Sequence, residues 1–266
     1  MTNTITNPRT TIRVSKGSLA FAVADKTVES QLRFEQYVCK SGVSMAANLR
    51  EAFKTADLLQ QTSGRAQVLV DTPVLLVPVE EYSEENIETL YLHSFPSTSG
   101  ATVMSNVLPD LNAVALFAVN KDFKLVVDDH FSDVRFYAIM RPVWNYLHRR
   151  GMVGNRRKLF AHFHDNKLEL FSFERNRFLF SNQYATRRAN DAAYFTLFVW
   201  KQLVMDQMKD ELYLSGDIPD VDKLTTLLRQ YITKVTVINT KGDFNRAPMT
   251  DIKGITFDLL TLYLGQ

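Results

Sequence analysis

Leu159-Phe160-Ala161-His162-Phe163-His164 runs into the polar triplet Asp165-Asn166-Lys167 and returns as Leu168-Glu169-Leu170-Phe171-Ser172-Phe173. Two apolar-rich runs of strand length joined by a short polar turn predict a β-hairpin. Phe178-Leu179-Phe180 begins a third strand. A long helix follows, capped by Asn190 or Asp191. Between residues 192 and 205 only Thr196, Lys201 and Gln202 are polar, so this helix is expected to be buried nearly all round. Leu212-Tyr213-Leu214 is the next strand and ends at Ser215-Gly216-Asp217. Asp220 caps a further helix with Leu224, Leu227, Leu228 and Tyr231 inward. A last strand is expected at residues 235–238, a polar loop over 239–253 and a closing helix over 258–264.

The same order stands upstream. Thr11-Ile12-Arg13-Val14 alternates as a half-buried strand does, Lys16-Gly17 supplies a turn, and Leu19-Ala20-Phe21-Ala22-Val23 returns. Arg33-Phe34-Glu35-Gln36-Tyr37-Val38 makes a third strand. Ser44 caps a helix with Met45, Leu49, Ala52, Phe53, Ala56 and Leu59 on one face. Strands at 67–70 and 74–78 follow, then a helix over 84–93 capped by Ser83, then strands at 102–108 and 113–119. An internal repeat, from about residue 10 to 109 and again from about 157 to 238, predicts two related α/β lobes with a cleft between them. Between them come a helix over 121–130, a strand over 134–139 and a helix opened by Pro142. The run RRGMVGNRRK, residues 149–158, marks the expected boundary. It divides the chain into lobes 1–150 and 151–266, the second carrying the C-terminal helix.

Composition excludes several classes. With 45% apolar and 23% charged residues in 266, the chain is core-forming and not disordered. A net charge of +2 gives no strong global field toward nucleic acid or an anionic membrane. The single cysteine, Cys39, cannot close an intrachain disulfide, which fits the cytoplasm and inert packing. Residues 1–9 read as a frayed start, the polar stretch 1–11 lacks the apolar core of a signal peptide, and no apolar run is long enough to span a membrane. The sequence holds no Walker lysine loop, no Gly-x-Gly-x-x-Gly and no nucleophile elbow.

A hairpin, a third strand and then alternating helix and strand in each half resembles the actin-like ATPase (ASKHA, ribonuclease H-like) superfamily, which includes sugar kinases, Hsp70 chaperones and actin. The chain is most similar to a Bacteroidetes-type bacterial family of unknown function with this fold. More distantly it resembles the actin-like proteins of pilus assembly and type II secretion. The resemblance covers about residues 10–240 and rests on element order and on the run 158–231. It implies an Asp-x-Gly-type phosphate loop in the first hairpin of each half, the Asp binding a metal and the Gly backbone cradling phosphate. Here the first hairpin reads Ser15-Lys16-Gly17-Ser18, with a glycine but no acid. The second reads His164-Asp165-Asn166-Lys167, with an acid but no glycine, a composition suited to a turn. The superfamily's adenosine loop carries paired glycines, of which Leu214-Ser215-Gly216-Asp217 keeps one. The resemblance thus implies the fold and a degenerate nucleotide cleft built from Lys16, Gly17, Asp165, Asn166, Ser215, Gly216 and Asp217. ATP is the ligand such a cleft would take; no catalytic residue and no resident cofactor is expected. Without the resemblance, Ser215-Gly216-Asp217 reads as a strand-to-helix turn in which glycine supplies φ > 0.

His162-x-His164 places two rings on one face of a strand. No further ligand stands at zinc-like spacing, so two rings on a half-exposed strand are expected and not a metal site. The basic run, with Arg175, Arg177, Arg187 and Arg188, could meet phosphates while Phe160 and Phe163 stack on bases. Acidic clusters at 80–88 and 128–133 offset it, so nucleic acid is not the expected partner. The leading expectation is a non-catalytic cytoplasmic binding or scaffold protein that holds a protein or peptide partner, away from membranes. The alternative is a nucleotide-binding ATPase or kinase-like phosphotransferase, and the third a nucleic-acid-associated factor.

Overall fold

The computed structural model describes residues 8–60, 63–98 and 100–265. Residues 1–7 of the expected frayed start lie outside the described residues. In chain order the elements are β1 (Thr10–Ser15), β2 (Ser18–Ala24), β3 (Leu32–Val38), α1 (Met45–Thr55), α2 (Asp57–Gln60), β4 (Arg65–Val70), β5 (Val74–Pro78), α3 (Ile87–Ser94), β6 (Thr102–Leu108), β7 (Ala113–Val119), α4 (Lys121–His130) and β8 (Asp133–Ala138). They continue with α5 (Met140–Gly151), β9 (Lys158–His164), β10 (Lys167–Glu174), β11 (Arg177–Ala185), α6 (Ala189–Gln202), β12 (Glu211–Gly216), α7 (Val221–Arg229), β13 (Lys234–Val237), α8 (Thr240–Asp243) and α9 (Phe257–Leu264). Contacts divide the chain into two units. The first takes the chain up to Val107, then Val114–Arg141 and Ala247–Ile255; the second takes Leu108–Ala113, Pro142–Arg246 and the chain from Thr256 onward.

In the first unit a five-stranded sheet has the order β3-β2-β1-β4-β8. β1 is antiparallel to β2 and parallel to β4, and β8 joins parallel to β4. Ser44 caps α1 by accepting from the Ala47 N–H. Behind it the buried Asn48 accepts from Lys40 N (2.8 Å) and donates to the carbonyls of Val43 and Ser44, which fixes the chain's entry into the helix. Asn120 caps α4 in the same way. Leu49 and Ala52 of α1 and Phe123, Val126 and Val127 of α4 bury their apolar stripes with Ile12 and Val68 of the sheet.

Between β4 and α4 the chain inserts a second, three-stranded sheet of order β5-β7-β6. The apolar run Ala113–Val119 reads as a strand buried on both faces, and β7 is buried along its whole length. Its alternation serves two cores. Phe117 and Val119 enter the core of the larger sheet; Val114, Leu116 and Ala118 pack with Val77 and Tyr91 under α3. Asn106 of β6 then ties the insertion to the free edge of β8. Its side chain accepts from Ala138 N (2.9 Å) and donates to Phe136 O (3.0 Å), a rung of hydrogen bonds made by an amide in place of a strand.

The second unit repeats the first sheet: β11-β10-β9-β12-β13. β9 is antiparallel to β10 and parallel to β12, and β12 is parallel to β13. α6 and α7 pack together, burying Ala192, Trp200, Leu224 and Leu228 with Leu159, Leu170 and Leu214.

The repeat therefore runs through different elements from those the sequence pattern suggests. In the first unit the partners of α7 and β13 are α4 and β8, not the helix and strand near residues 84–108, which belong to the insertion. Smaller differences have local causes. Ser83 makes no side-chain cap bond, because residues 84–86 form a 3-10 turn and α3 begins at Ile87. α6 begins at Ala189 with Arg188 at its cap position and no side-chain cap bond, so neither Asn190 nor Asp191 caps it. Nor is α6 buried all round: Tyr194 and Phe198 are 64% and 46% exposed. Tyr231 lies beyond the end of α7 and is exposed rather than inward. The polar stretch 239–253 contains α8 and a 3-10 turn at Pro248–Asp251.

Candidate functional site

The carboxyl ends of β9 and β12 lie side by side, with Ser215 opposite His162 and Gly216 opposite Phe163. In open α/β sheets this is the end at which ligands gather. The structure brings five of the candidate residues together here: Asp165 and Asn166 in the turn after β9, Ser215 and Gly216 at the end of β12, and Asp217 directly after them. Lys16 and Gly17 occupy the matching hairpin turn of the first unit, where Ser15 and Ser18 pair and their hydroxyls are 2.7 Å apart.

Each of these residues has a local reason for its place. His164 pairs with Lys167, leaving Asp165-Asn166 as a two-residue loop with φ of 47° and 60°. Positive φ at both positions is the type I′ turn, which follows the twist of the flanking strands and tolerates Asp and Asn. Gly216 has φ of +83°, and a Cβ there would lie 2.0 Å from the Phe163 carbonyl oxygen and 2.9 Å from the His162 ring. The Asp217 N–H donates to that same carbonyl at 2.8 Å. Gly216 is therefore required by close backbone approach as well as by its conformation. Asp220, also at positive φ, caps α7 by accepting from Lys223 N.

Side-chain chemistry converges just inside this end. His162 Nδ1 lies 3.0 Å from Ser215 Oγ, and both residues are 1% exposed. His164 Nδ1 donates to Asp165 (3.2 Å), and its Nε2 lies 3.5 Å from Glu169. The two rings stack at 5.4 Å, and His162 also meets Phe257 of α9. The histidines are thus buried, not half-exposed as the strand pattern suggests. The alternation His-x-His opposite Leu168-Glu169-Leu170 carried the signal for this cluster: Glu169 pairs directly with His162 across the hairpin, which puts three ionisable side chains on one face. The bond to Ser215 could not be read, since it joins residues 53 apart in sequence. Phe160 and Phe163 are both buried, so neither ring is open to stack on a base.

Among the described residues no helix is long and apolar enough to cross a membrane. Comparison with known proteins gives the fold a relative. The chain is similar, at 25% identity and a TM-score of 0.81, to a Bacteroides thetaiotaomicron protein with an actin-like ATPase fold and unknown function, over 96% of this chain and 95% of that one. Its fold is accordingly that of the actin-like ATPases. Weaker likenesses reach the PilM–PilN type IV pilus biogenesis complex (11% identity, TM-score 0.49, 88% and 89% covered) and the cytoplasmic domain of EpsL of the Vibrio cholerae type II secretion system (12%, 0.41, 84% and 95%). No curated protein matches the sequence. The family profile described as "Protein of unknown function (DUF3822)" matches residues 2–235, and the chain belongs to that family.

Proposed function

We propose that the protein is a cytoplasmic binding or scaffold protein of actin-like fold that holds a protein or peptide partner and does not turn over nucleotide. One observation carries the binding reading: α6 presents two aromatic rings to solvent. Tyr194 and Phe198 stand one helical turn apart with ring centroids 6.4 Å apart and planes within 18°. Asp191 and Lys201, also exposed, bracket them on the same stripe. Adjacent exposed aromatics framed by charge have the composition of the centre of a protein interface. The candidate nucleotide loops support the second half of the reading. The Gly216 approach is filled by the Phe163 carbonyl, Ser215 is spent on His162, and the first hairpin offers no carboxylate to position Mg²⁺.

Two measurements test it. Steady-state ATP hydrolysis is expected to fall well below about 1 s⁻¹, the low end of ordinary kinases; a rate above that favours the ATPase or kinase-like alternative. A partner isolated by affinity from the source cytoplasm is expected to bind the purified protein directly. It should lose that binding in a Tyr194→Ser, Phe198→Ser variant whose melting temperature is unchanged. Full retention of binding without both rings would overturn the assignment of the surface.

A further inference from the structure

At the other end of β9, six residues of extended strand or about 20 Å from His164, the second unit contains a cavity of about 510 Å³. That volume lies within the range of small-molecule sites. Its inner wall is aromatic. Phe173 packs against Phe160 (ring centroids 5.7 Å apart) and meets the His148 ring in a T-shaped contact (5.1 Å, 72°). Its rim is cationic: Arg156, Arg157, Lys158 and Arg175 line it, against the single carboxylate of Glu174.

The wiring of these cations shows what the cavity is suited to hold. The cavity adjoins the C-terminus of α5, whose free carbonyls would repel an anion. Lys158 removes that obstacle. Its buried ammonium donates to Gly151 O (2.9 Å) and Val153 O (2.6 Å), masking the helix end and folding residues 151–157 around the mouth. Arg157 is spent on the carbonyls of Leu203 and Val204 behind it. Arg156 reaches Glu211 through one nitrogen at 3.3 Å and is half exposed. The guanidinium of Arg175 has no partner among the described residues, although its backbone carbonyl accepts from His148 Nε2 (2.8 Å). That bond sets the His148 tautomer and leaves its Nδ1 buried without a hydrogen bond.

We propose that this cavity binds a small organic phosphate monoester with a planar apolar body. The phosphate would lie between Arg175 and Arg156, and the ring against Phe173. A guanidinium fork matches phosphate geometry, and the charge excess on the rim suits a dianion better than a carboxylate.

The test titrates the full chain with phenyl phosphate, reading melting temperature and calorimetric affinity. Phenyl phosphate is expected to raise the melting temperature, benzoate and inorganic phosphate to bind at least tenfold more weakly, and phenol not to bind. Arg175→Ala and Arg156→Ala are each expected to weaken phenyl phosphate about tenfold to a hundredfold, as loss of a charge-assisted hydrogen bond does. Both residues are exposed, so the variants should fold as the parent does. Arg33→Ala, in the first unit, should leave affinity unchanged. Absence of any melting shift at about 10 mM phenyl phosphate, a millimolar limit on Kd, would overturn the proposal. So would affinity that survives the Arg156→Ala, Arg175→Ala double change, or benzoate binding as tightly as phenyl phosphate.

Discussion

Replacing Gly216 with alanine should cost the second unit far more than a methyl group suggests. Three effects add. A non-glycine residue at φ near +83° carries about 1–2 kcal/mol of left-handed strain. The new Cβ would stand 2.0 Å from the Phe163 carbonyl oxygen. That atom belongs to the central strand β9 and cannot swing aside as a flexible side chain would, so relief must come from prising β12 off β9, at about 1–3 kcal/mol. The shift also loosens the Asp217 N–H bond to that carbonyl, worth about 1 kcal/mol. The total of roughly 3–6 kcal/mol corresponds to a fall in melting temperature on the order of 10 °C. Gly17→Ala is the control. Gly17 has φ of +143° with nothing within 4 Å of a built Cβ, so only backbone strain of about 1–3 kcal/mol applies. Thermal melts of both variants decide the matter: if they fall within about 2 °C of each other, close approach is not what fixes Gly216. The same reasoning disqualifies Gly216→Val as a probe of ligand binding at this loop, since the variant should fail by unfolding before it fails by blocking.

Three further outcomes follow from contacts already described. Asn106→Ala strands Phe136 O and Ala138 N in a buried place, and should cost about 2–4 kcal/mol in urea unfolding; a loss below about 1 kcal/mol would mean water replaces the rung. Arg9 and Arg65 hydrogen-bond Asp133 and hold its carboxyl below the usual value of 3.8, Arg9 contributing most. With the folded value depressed, this stabilisation is present above pH 3.8 and is lost as pH falls through the lower folded value. Asp133→Asn should therefore melt lower than the parent at pH 7, with the difference vanishing in acid; a constant difference across pH would refute the ion pairing. Arg157→Ala frees the carbonyls of Leu203 and Val204 at the end of α6 and should cost about 1 kcal/mol by chemical denaturation; no change would show that solvent satisfies them equally well.

Much of the architecture could be read from the chain because its signals are local. The hairpins announce themselves by alternation and by polar turns such as Lys16-Gly17 and Asp165-Asn166-Lys167, although Lys167 proves to be the first residue of β10; α1 and α7 announce themselves by caps and a one-sided stripe. What could not be read depends on partners distant in sequence. Which helix and strand complete the first sheet is decided by β4 choosing β8 over the nearer β5 and β6, and no local pattern encodes that choice. The outward rings of Tyr194 and Phe198 hide within an almost unbroken apolar run, where periodicity has no polar face to mark. At the candidate site the residue types Ser215, Gly216 and Asp165 stood out, but their roles did not. That Ser215 meets His162, and that Gly216 makes room for the Phe163 carbonyl, follows from the register of two strands that only the folded sheet sets.

The three-stranded insertion also bears on how the chain folds. To close its last parallel pair, the first unit must bring Arg65 to Asp133, 68 residues on, around an entire extra sheet. The second unit closes the equivalent pair, Glu211 with Lys234, over about a third of that distance. Loop-closure entropy then favours the second unit by about 1 kcal/mol at this step, and its lower contact order favours faster folding. The half synthesised last would thus be the first to complete its sheet. The first half would wait, with the edge of β4 unpaired, until the insertion had folded upon itself.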